Sequence, residues 1–192
     1  YQFNEKYKKP VVYFSMEFAI DQCFKIYSGG LGFLAGSHMR SAYQLRQNMV
    51  GIGILWRKGY YDQFRREDQS MGVQFQDKIY YFLEDTNIKY KIQINQHDVW
   101  VKAFYLKPEI FGTAPMFFLS TDLPENDYLA CSTTFKLYDS DPSARIAQTM
   151  VLGLGGAKLL DQLHFEPDIY HLNEAHALSA VFQLYKKYGS AE

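Results

Sequence analysis

The stretch that decides the fold is Ile26-Tyr-Ser-Gly-Gly-Leu-Gly-Phe-Leu-Ala-Gly36, a run of glycines at the entrance to an apolar helix. It comes shortly after a strand-like run, Val11-Val-Tyr-Phe-Ser15. A strand, a glycine turn and a helix start in this order leave unpaired backbone N–H groups and the positive end of the helix dipole facing whatever lies in front of the helix. The turn therefore predicts either an anion site or a close contact between helix and sheet.

The residues on both sides of this turn predict a β-α-β unit. Apolar positions recur at helical spacing from Gly32 onwards, and residues 49–56 form a second short apolar run. Two strands joined by a helix are expected to be parallel, with a right-handed crossover. The glycine turn then lies at the carboxyl end of the first strand, where open α/β sheets bind ligands.

Downstream of this unit the pattern predicts an inserted antiparallel β region and a return to α/β structure. The insertion covers residues 58–107, with strands over 60–64, 73–75, 80–83, 90–94 and 99–105. Further strands are predicted over 115–120 and 167–172, and helices over 141–163 and 174–187. We expect the glycines Gly153, Gly155 and Gly156 within the first of these helices to reflect close packing, since each costs about 1 kcal/mol relative to alanine.

Composition restricts the class of protein. The 192 residues, 47% hydrophobic and 21% charged, suit a single globular domain, and a net charge of -1 gives no reason to expect nucleic acid or an anionic membrane as partner. Cys23 and Cys131 are too few for a disulfide framework or a zinc cluster, which favours a cytoplasmic location and no metal. The chain starts at Tyr1 rather than Met, so we expect a fragment.

Polar side chains follow the first and last predicted strands. Glu17 comes directly after the first strand, and Asn173-Glu-Ala-His176 follows the last one. Their donors and acceptors suit a polyhydroxylated ligand, although a solvated acid and a capping box with a surface histidine explain the same residues. A phosphate partner could be any of the arginines Arg40, Arg46, Arg57, Arg65, Arg66 and Arg145.

Six blocks of sequence, in this order, carry a family resemblance. They are Val12-Tyr-Phe-Ser-Met-Glu-Phe-Ala-Ile-Asp21, Tyr27-Ser-Gly-Gly-Leu-Gly-Phe-Leu-Ala-Gly36, Gly59-Tyr-Tyr-Asp-Gln63, Thr121-Asp-Leu-Pro-Glu-Asn126, Val151-Leu-Gly-Leu-Gly-Gly156 and Tyr170-His-Leu-Asn-Glu-Ala-His176. From about residue 11 to its end the chain resembles the α-glucan (glycogen) phosphorylases, most closely their shorter bacterial and archaeal members.

The resemblance implies the Rossmann-like N-terminal half of a two-domain GT-B glycosyltransferase. Such enzymes cleave α-1,4-glucan or maltooligosaccharide ends with inorganic phosphate, release glucose 1-phosphate and use pyridoxal 5′-phosphate. It also implies phosphate and substrate binding by Gly29, Gly30, Leu31 and Gly32, and sugar binding by Glu17, Ser28, Asn173, Glu174 and His176. The lysine that attaches the cofactor is expected in a C-terminal domain missing here, so the 192-residue chain alone holds no catalytic residue and should be inactive.

Two departures from the family pattern leave local contacts open: Ser37 stands where Asp is usual, and Ala175 where Gly is frequent. One alternative is a nucleotide-sugar-dependent glycogen or starch synthase, although Tyr27 stands where those enzymes typically carry Lys. A non-catalytic glucan-binding module is the other alternative. Chain-length preference, regulation and oligomeric state, a homo-oligomer included, are left open.

Overall fold

A computed structural model describes residues 2–189 and is built on a six-stranded sheet with the strand order β5-β6-β7-β2-β1-β8. The strands are β1 Val11–Phe14, β2 Met49–Ile54, β3 Asp62–Arg65, β4 Met71–Gln74, β5 Glu84–Ile94, β6 His97–Leu106, β7 Met116–Ser120 and β8 Ile169–Leu172. The α-helices are α1 Gly30–Gln44, α2 Pro108–Phe111, α3 Tyr128–Ser132, α4 Pro142–Met150, α5 Gly156–Gln162 and α6 Ala180–Tyr188. Short 3-10 helices cover Glu5–Tyr7 and Ala175–Ala177, and a π-helical segment covers Val151–Gly155.

The centre of the sheet is parallel, as the β-α-β pattern predicts. Strand β1 pairs in parallel with β2 on one side and β8 on the other, and β2 pairs in parallel with β7. Val12, Tyr13 and Phe14 are buried because both faces of this central strand are covered. The predicted α/β class is confirmed, and the glycine turn follows the carboxyl end of β1.

The region predicted as one antiparallel insertion divides into two parts. Only β3 and β4 pair apart from the main sheet, whereas β6 pairs antiparallel with β7 from Lys102 opposite Ser120 to Leu106 opposite Met116. The predicted strand over residues 80–83 is wrong, because these residues form a turn. The rings of Tyr80 and Phe82 instead pack against Phe24, with centroids 4.8 and 5.2 Å away, so their aromatic character serves the core.

The helices after β7 begin and end differently from their predicted ranges. Asp141 caps α4 through a bond from the Ala144 N–H to its carboxylate, as the sequence predicts. The single helix predicted over 141–163 is interrupted by the π-helical segment, and the last helix begins at Ala180 after a 3-10 turn. No helix within residues 2–189 is long and apolar enough to cross a membrane.

Candidate functional site at the carboxyl edge of the sheet

The glycine turn leaves free amides at the start of α1. The first helical bond runs from the Phe33 N–H to the Gly29 carbonyl at 3.2 Å, so Gly30, Leu31 and Gly32 enter the helix without an intrahelical acceptor. A Cβ atom added to Gly29 or Gly30 would find nothing within 4 Å. The space beside Gly30 is therefore open at the start of α1, where unpaired N–H groups and the helix dipole favour an anionic ligand.

The later glycines of the same motif serve packing instead. A Cβ on Gly36 would lie 2.0 Å from the Ala19 carbonyl oxygen, and one on Gly32 would lie 2.7 Å from the Tyr27 Cβ and 2.9 Å from a Glu17 carboxylate oxygen. Only glycine lets α1 approach the segment after β1 this closely. The motif thus has two parts, an open turn at Gly29 and Gly30 and a tight helix contact at Gly32 and Gly36. Anion binding at the turn stays a prediction.

Glu17 holds the glycine turn through its side-chain carboxylate. Its buried carboxylate accepts hydrogen bonds from the Ser28 N–H at 2.5 Å, the Gly29 N–H at 3.1 Å and the Ser28 hydroxyl at 3.1 Å. A fourth donor is the Tyr138 hydroxyl, at 2.7 Å. A carboxylate offers about four acceptor sites, so protein donors account for all of them. These bonds let Glu17 hold the turn, and the contact with a sugar that the resemblance implies stays a prediction.

The end of β8 brings the second predicted group to the same edge. Asn173 is buried and donates from Nδ2 to the Ser15 hydroxyl at 3.2 Å, while its N–H donates to the Phe14 carbonyl at 3.0 Å. The Ser15 hydroxyl in turn donates to the Glu17 carbonyl at 2.8 Å. Asn173 therefore ties β8 to the segment that carries Glu17.

Glu174 and His176 project from this edge in different ways. The exposed Glu174 has φ 62° and ψ −169°, a region that is populated essentially by glycine and costs a side-chain-bearing residue about 1–3 kcal/mol. The Nδ1 atom of His176 is buried without a hydrogen-bond partner among residues 2–189. Strain and an unsatisfied ring nitrogen are both costs of the kind that functional sites carry.

Tyr138 links Glu17 with His176, and the sequence analysis did not identify it. Its hydroxyl reaches Glu17, 121 residues away in the chain, and its ring centroid lies 5.8 Å from that of His176. Tyr138 lies in the region between β7 and α4. The buried Gln148 of α4 holds this region by donating from Nε2 to the Lys136 carbonyl at 2.8 Å. The only sequence signal was the length of this loop, since long loops are often functional.

Burial and nearby charges shift the pKa values of Tyr138 and His176. Burial, followed by the hydrogen bond to Glu17, raises the pKa of Tyr138 well above its usual value, so the phenol stays a donor. Burial lowers the pKa of His176, which favours the neutral ring, while Glu174 and Glu17 oppose that shift and Arg145 adds to it. Arg145 is thus the one arginine, of the six named above, whose charge acts on both pKa values.

The remaining charged groups bear on the predicted partners. Arg57 pairs with Asp77 and Asp122, and Arg40 donates to the carbonyls of Phe111 and Ile20. Within residues 2–189, no group of three or more His, Cys, Asp or Glu side chains is placed to hold a metal ion. Arg57 and Arg40 are thus engaged with protein groups, whereas Arg145 acts on Tyr138 and His176 through its charge.

The sheet and its helices define the class of protein as α/β, with a glycine turn that follows the carboxyl end of the central parallel strand. Comparison with known proteins makes this class more specific. The chain is 49% identical to an uncharacterized protein of Methanocaldococcus jannaschii, over 94% of this chain and 35% of that protein. It is 34% identical to a maltodextrin phosphorylase of Thermococcus litoralis, over 93% of this chain and 22% of that enzyme. A glycogen phosphorylase of Mycobacterium tuberculosis is 30% identical, over 87% of this chain and 21% of that enzyme.

The chain is thus a homologue of the glycogen and maltodextrin phosphorylases over most of its own length, as the motif blocks predict. It spans between 21% and 35% of the length of these three relatives. No protein-family model matches the chain.

Proposed function

We propose that this chain is the N-terminal portion of an α-glucan phosphorylase, a GT-B glycosyltransferase that transfers glucosyl units from α-1,4-glucan ends to inorganic phosphate. The observation that carries the proposal is the glycine turn before α1, which is uncrowded at Gly30 and whose Ser28 and Gly29 amides are held by the buried Glu17 carboxylate. Homology to maltodextrin and glycogen phosphorylases supports the same reading. The two free cysteines suit a reducing cytoplasm.

In this proposal the site residues have distinct tasks. The amides of Gly30, Leu31 and Gly32 bind the phosphate and nearby sugar hydroxyls, because aligned N–H groups and the helix dipole favour negative charge. Gly29, whose N–H is bound to Glu17, shapes the turn that presents them. Glu17, Ser28 and Asn173 hold those amides in place through the bonds described above. Glu174 and His176 extend toward the ligand and exchange hydrogen bonds with sugar hydroxyls.

The described residues fit only part of the cofactor that the resemblance implies. The open start of α1 at Gly30 suits a phosphate group, either of pyridoxal 5′-phosphate or of the substrate. Bound there, the cofactor would supply a phosphate beside the substrate phosphate, while this chain orients both groups. Its attachment lysine remains an expectation for a C-terminal domain.

The phosphate site is tested by titrating the ¹⁵N-labelled chain with inorganic phosphate. We expect the largest shifts at the amides of Gly30, Leu31 and Gly32. In Gly30→Ala the fold should persist, since its Cβ meets no atom within 4 Å, but the methyl group should displace the anion and weaken binding. Ser37→Ala, at an exposed position of α1, is the matched control. Shifts confined to surface lysines would contradict the proposed site.

The expected inactivity of the isolated chain is a separate test. Incubated with maltoheptaose, phosphate and pyridoxal 5′-phosphate, it should release no glucose 1-phosphate, because the proposed second wall of the cleft is absent. Release above a blank without protein would show that these residues suffice for catalysis.

A further inference from the structure

A groove beside the glycine turn has no role in the function proposed above. This cavity, of about 360 Å³, is bordered by Tyr27 and Ser28 of the turn region and by Tyr60 and Tyr61 of the loop after β2. Asp62 and Lys78 also line it. Its volume falls near the lower end of the range for ligand sites, about 300–1,000 Å³. The groove thus adjoins the candidate site through Ser28.

The loop that carries the two neighbouring tyrosines is firmly held. Gly59 adopts φ +66°, and a Cβ there would lie 2.4 Å from the Lys25 carbonyl oxygen, so only glycine fits. The Gly59 carbonyl accepts a bond from the Leu137 N–H at 2.9 Å. The Lys78 ammonium, 15% exposed, donates to the Lys58 carbonyl at 3.2 Å and to Asp62 at 2.7 Å. These contacts fix the groove before any ligand arrives.

The chemistry of the groove suits a neutral polyhydroxylated chain. The rings of Tyr60 and Tyr61 lie with centroids 4.2 Å apart, and tyrosine offers both an apolar ring face and a hydroxyl. Asp62 pairs with Lys78, and the exposed Lys25 is the remaining charged side chain of the lining. The Asp62 carboxylate and the amide of Gln63 can exchange hydrogen bonds with hydroxyls.

We propose that this groove is an accessory subsite that holds part of an α-1,4-glucan chain beside the glycine turn. The inference rests on the proposed function, because that function supplies the glucan. It gives a role to the motif Gly59-Tyr-Tyr-Asp-Gln63, whose glycine shapes the loop and whose side chains line the groove.

The test measures maltoheptaose binding to the 192-residue chain by calorimetry and by ¹H–¹⁵N shifts. Tyr61 is 36% exposed, so Tyr61→Ala should fold normally, which a urea unfolding curve checks. We expect it to weaken binding about tenfold, the loss of one aromatic contact. Tyr61→Phe, which keeps the ring, should retain most of the affinity. Tyr81→Ala, at a tyrosine that is 91% exposed and does not line the groove, is the matched control and should bind like the parent chain.

The outcomes separate this inference from the proposed function. If maltoheptaose does not bind, or binds Tyr61→Ala and the parent chain equally well, the groove is not a glucan subsite, whatever phosphate does at the glycine turn. If maltoheptaose shifts Tyr60 and Tyr61 but phosphate leaves Gly30 to Gly32 unchanged, the subsite stands and the phosphorolytic function fails. A tenfold loss in Tyr61→Ala, together with phosphate shifts at the turn, supports both.

Discussion

Glu174 is the residue at which the backbone departs most from what its side chain prefers. Its φ of 62° and ψ of −169° lie where a Cβ atom is disfavoured, yet it stands directly after the buried Asn173 that ties β8 to the Glu17 segment. The sequence does not predict this strain, because the turn at Glu174 contains no glycine. The strain places an exposed carboxylate beside His176 at the candidate site.

Replacing Glu174 by glycine should therefore stabilise the chain. Release of about 1–3 kcal/mol of backbone strain should exceed the about 0.5–1 kcal/mol that glycine costs in conformational entropy. We expect the free energy of unfolding in urea to rise by about 1 kcal/mol. Glu174→Gln keeps the Cβ atom and should leave it unchanged within about 0.5 kcal/mol. Equal stabilities for Glu174→Gly and Glu174→Gln would mean that the backbone there is not strained.

His38 gives a pH dependence with a definite sign. Its ring lies 4.8 Å from the ring of Tyr13 and 5.7 Å from that of His171, centroid to centroid, and burial, followed by the charge of His171, lowers its pKa. The unfolded chain, with a histidine pKa of about 6.5, then binds the proton more readily. Stability is complete above about pH 6.5 and falls as the pH drops toward the lower folded-state pKa.

We expect His38→Gln to flatten the fall in unfolding free energy between pH 7.5 and 5. Burial also lowers the pKa of His176, so this residue should preserve part of the pH dependence of the unfolding free energy. His97→Gln, at an exposed histidine, serves as the matched control and should keep the full slope. Urea curves at several pH values measure this, and an unchanged slope in His38→Gln would assign the effect to other groups.

At the scale of elements, alternation and glycine placement predict most of the sheet but not its exceptions. The sequence runs that form β1, β2 and β7 were recognisable because buried strands are continuously apolar, whereas β8 is a partly exposed edge strand. Residues 80–83 have the same composition but form a turn, since the Tyr80 and Phe82 rings pack on Phe24 rather than in a ladder. Local pattern cannot distinguish the two uses of an aromatic residue.

The glycines between α4 and α5 behave as predicted, because they allow close packing. A Cβ on Gly153 would lie 2.2 Å from the Ser179 hydroxyl and 2.7 Å from the Ala177 carbonyl oxygen, whereas one on Gly155 would lie 3.3 Å from the end of the Leu119 side chain. We expect Gly153→Ala to lower the unfolding free energy by about 1–3 kcal/mol, since backbone must move. Gly155→Ala, two residues away, should cost clearly less. If Gly153→Ala and Gly155→Ala lower the unfolding free energy in urea by similar amounts, the backbone of residues 177–180 after β8 moves easily.

At the scale of the whole molecule, the candidate site was predictable in its parts but not in its assembly. Motif order placed the glycine turn, Glu17 and the residues from Asn173 to His176 at one sheet edge. The link through Tyr138 spans 121 residues and depends on how a loop folds over the sheet, which no local pattern encodes. The four donors around the Glu17 carboxylate likewise come from separate parts of the chain, which no local pattern brings together.

The continuity of the sheet makes a prediction about the unfolding of the whole chain. Because β6 pairs with β7 along residues 102–106, the antiparallel strands share the core of the parallel ones, and both should unfold in one transition. The two tryptophans report on each part: Trp56 is buried near β1, where its Nε1–H donates to the Met16 carbonyl at 3.0 Å, and Trp100 lies in β6. In Trp56→Phe the Trp100 fluorescence should follow circular dichroism with the same urea midpoint. In Trp100→Phe the Trp56 signal should do likewise. An earlier midpoint for Trp100 would mean that β5 and β6 form a separate folding unit, despite their place in the sheet.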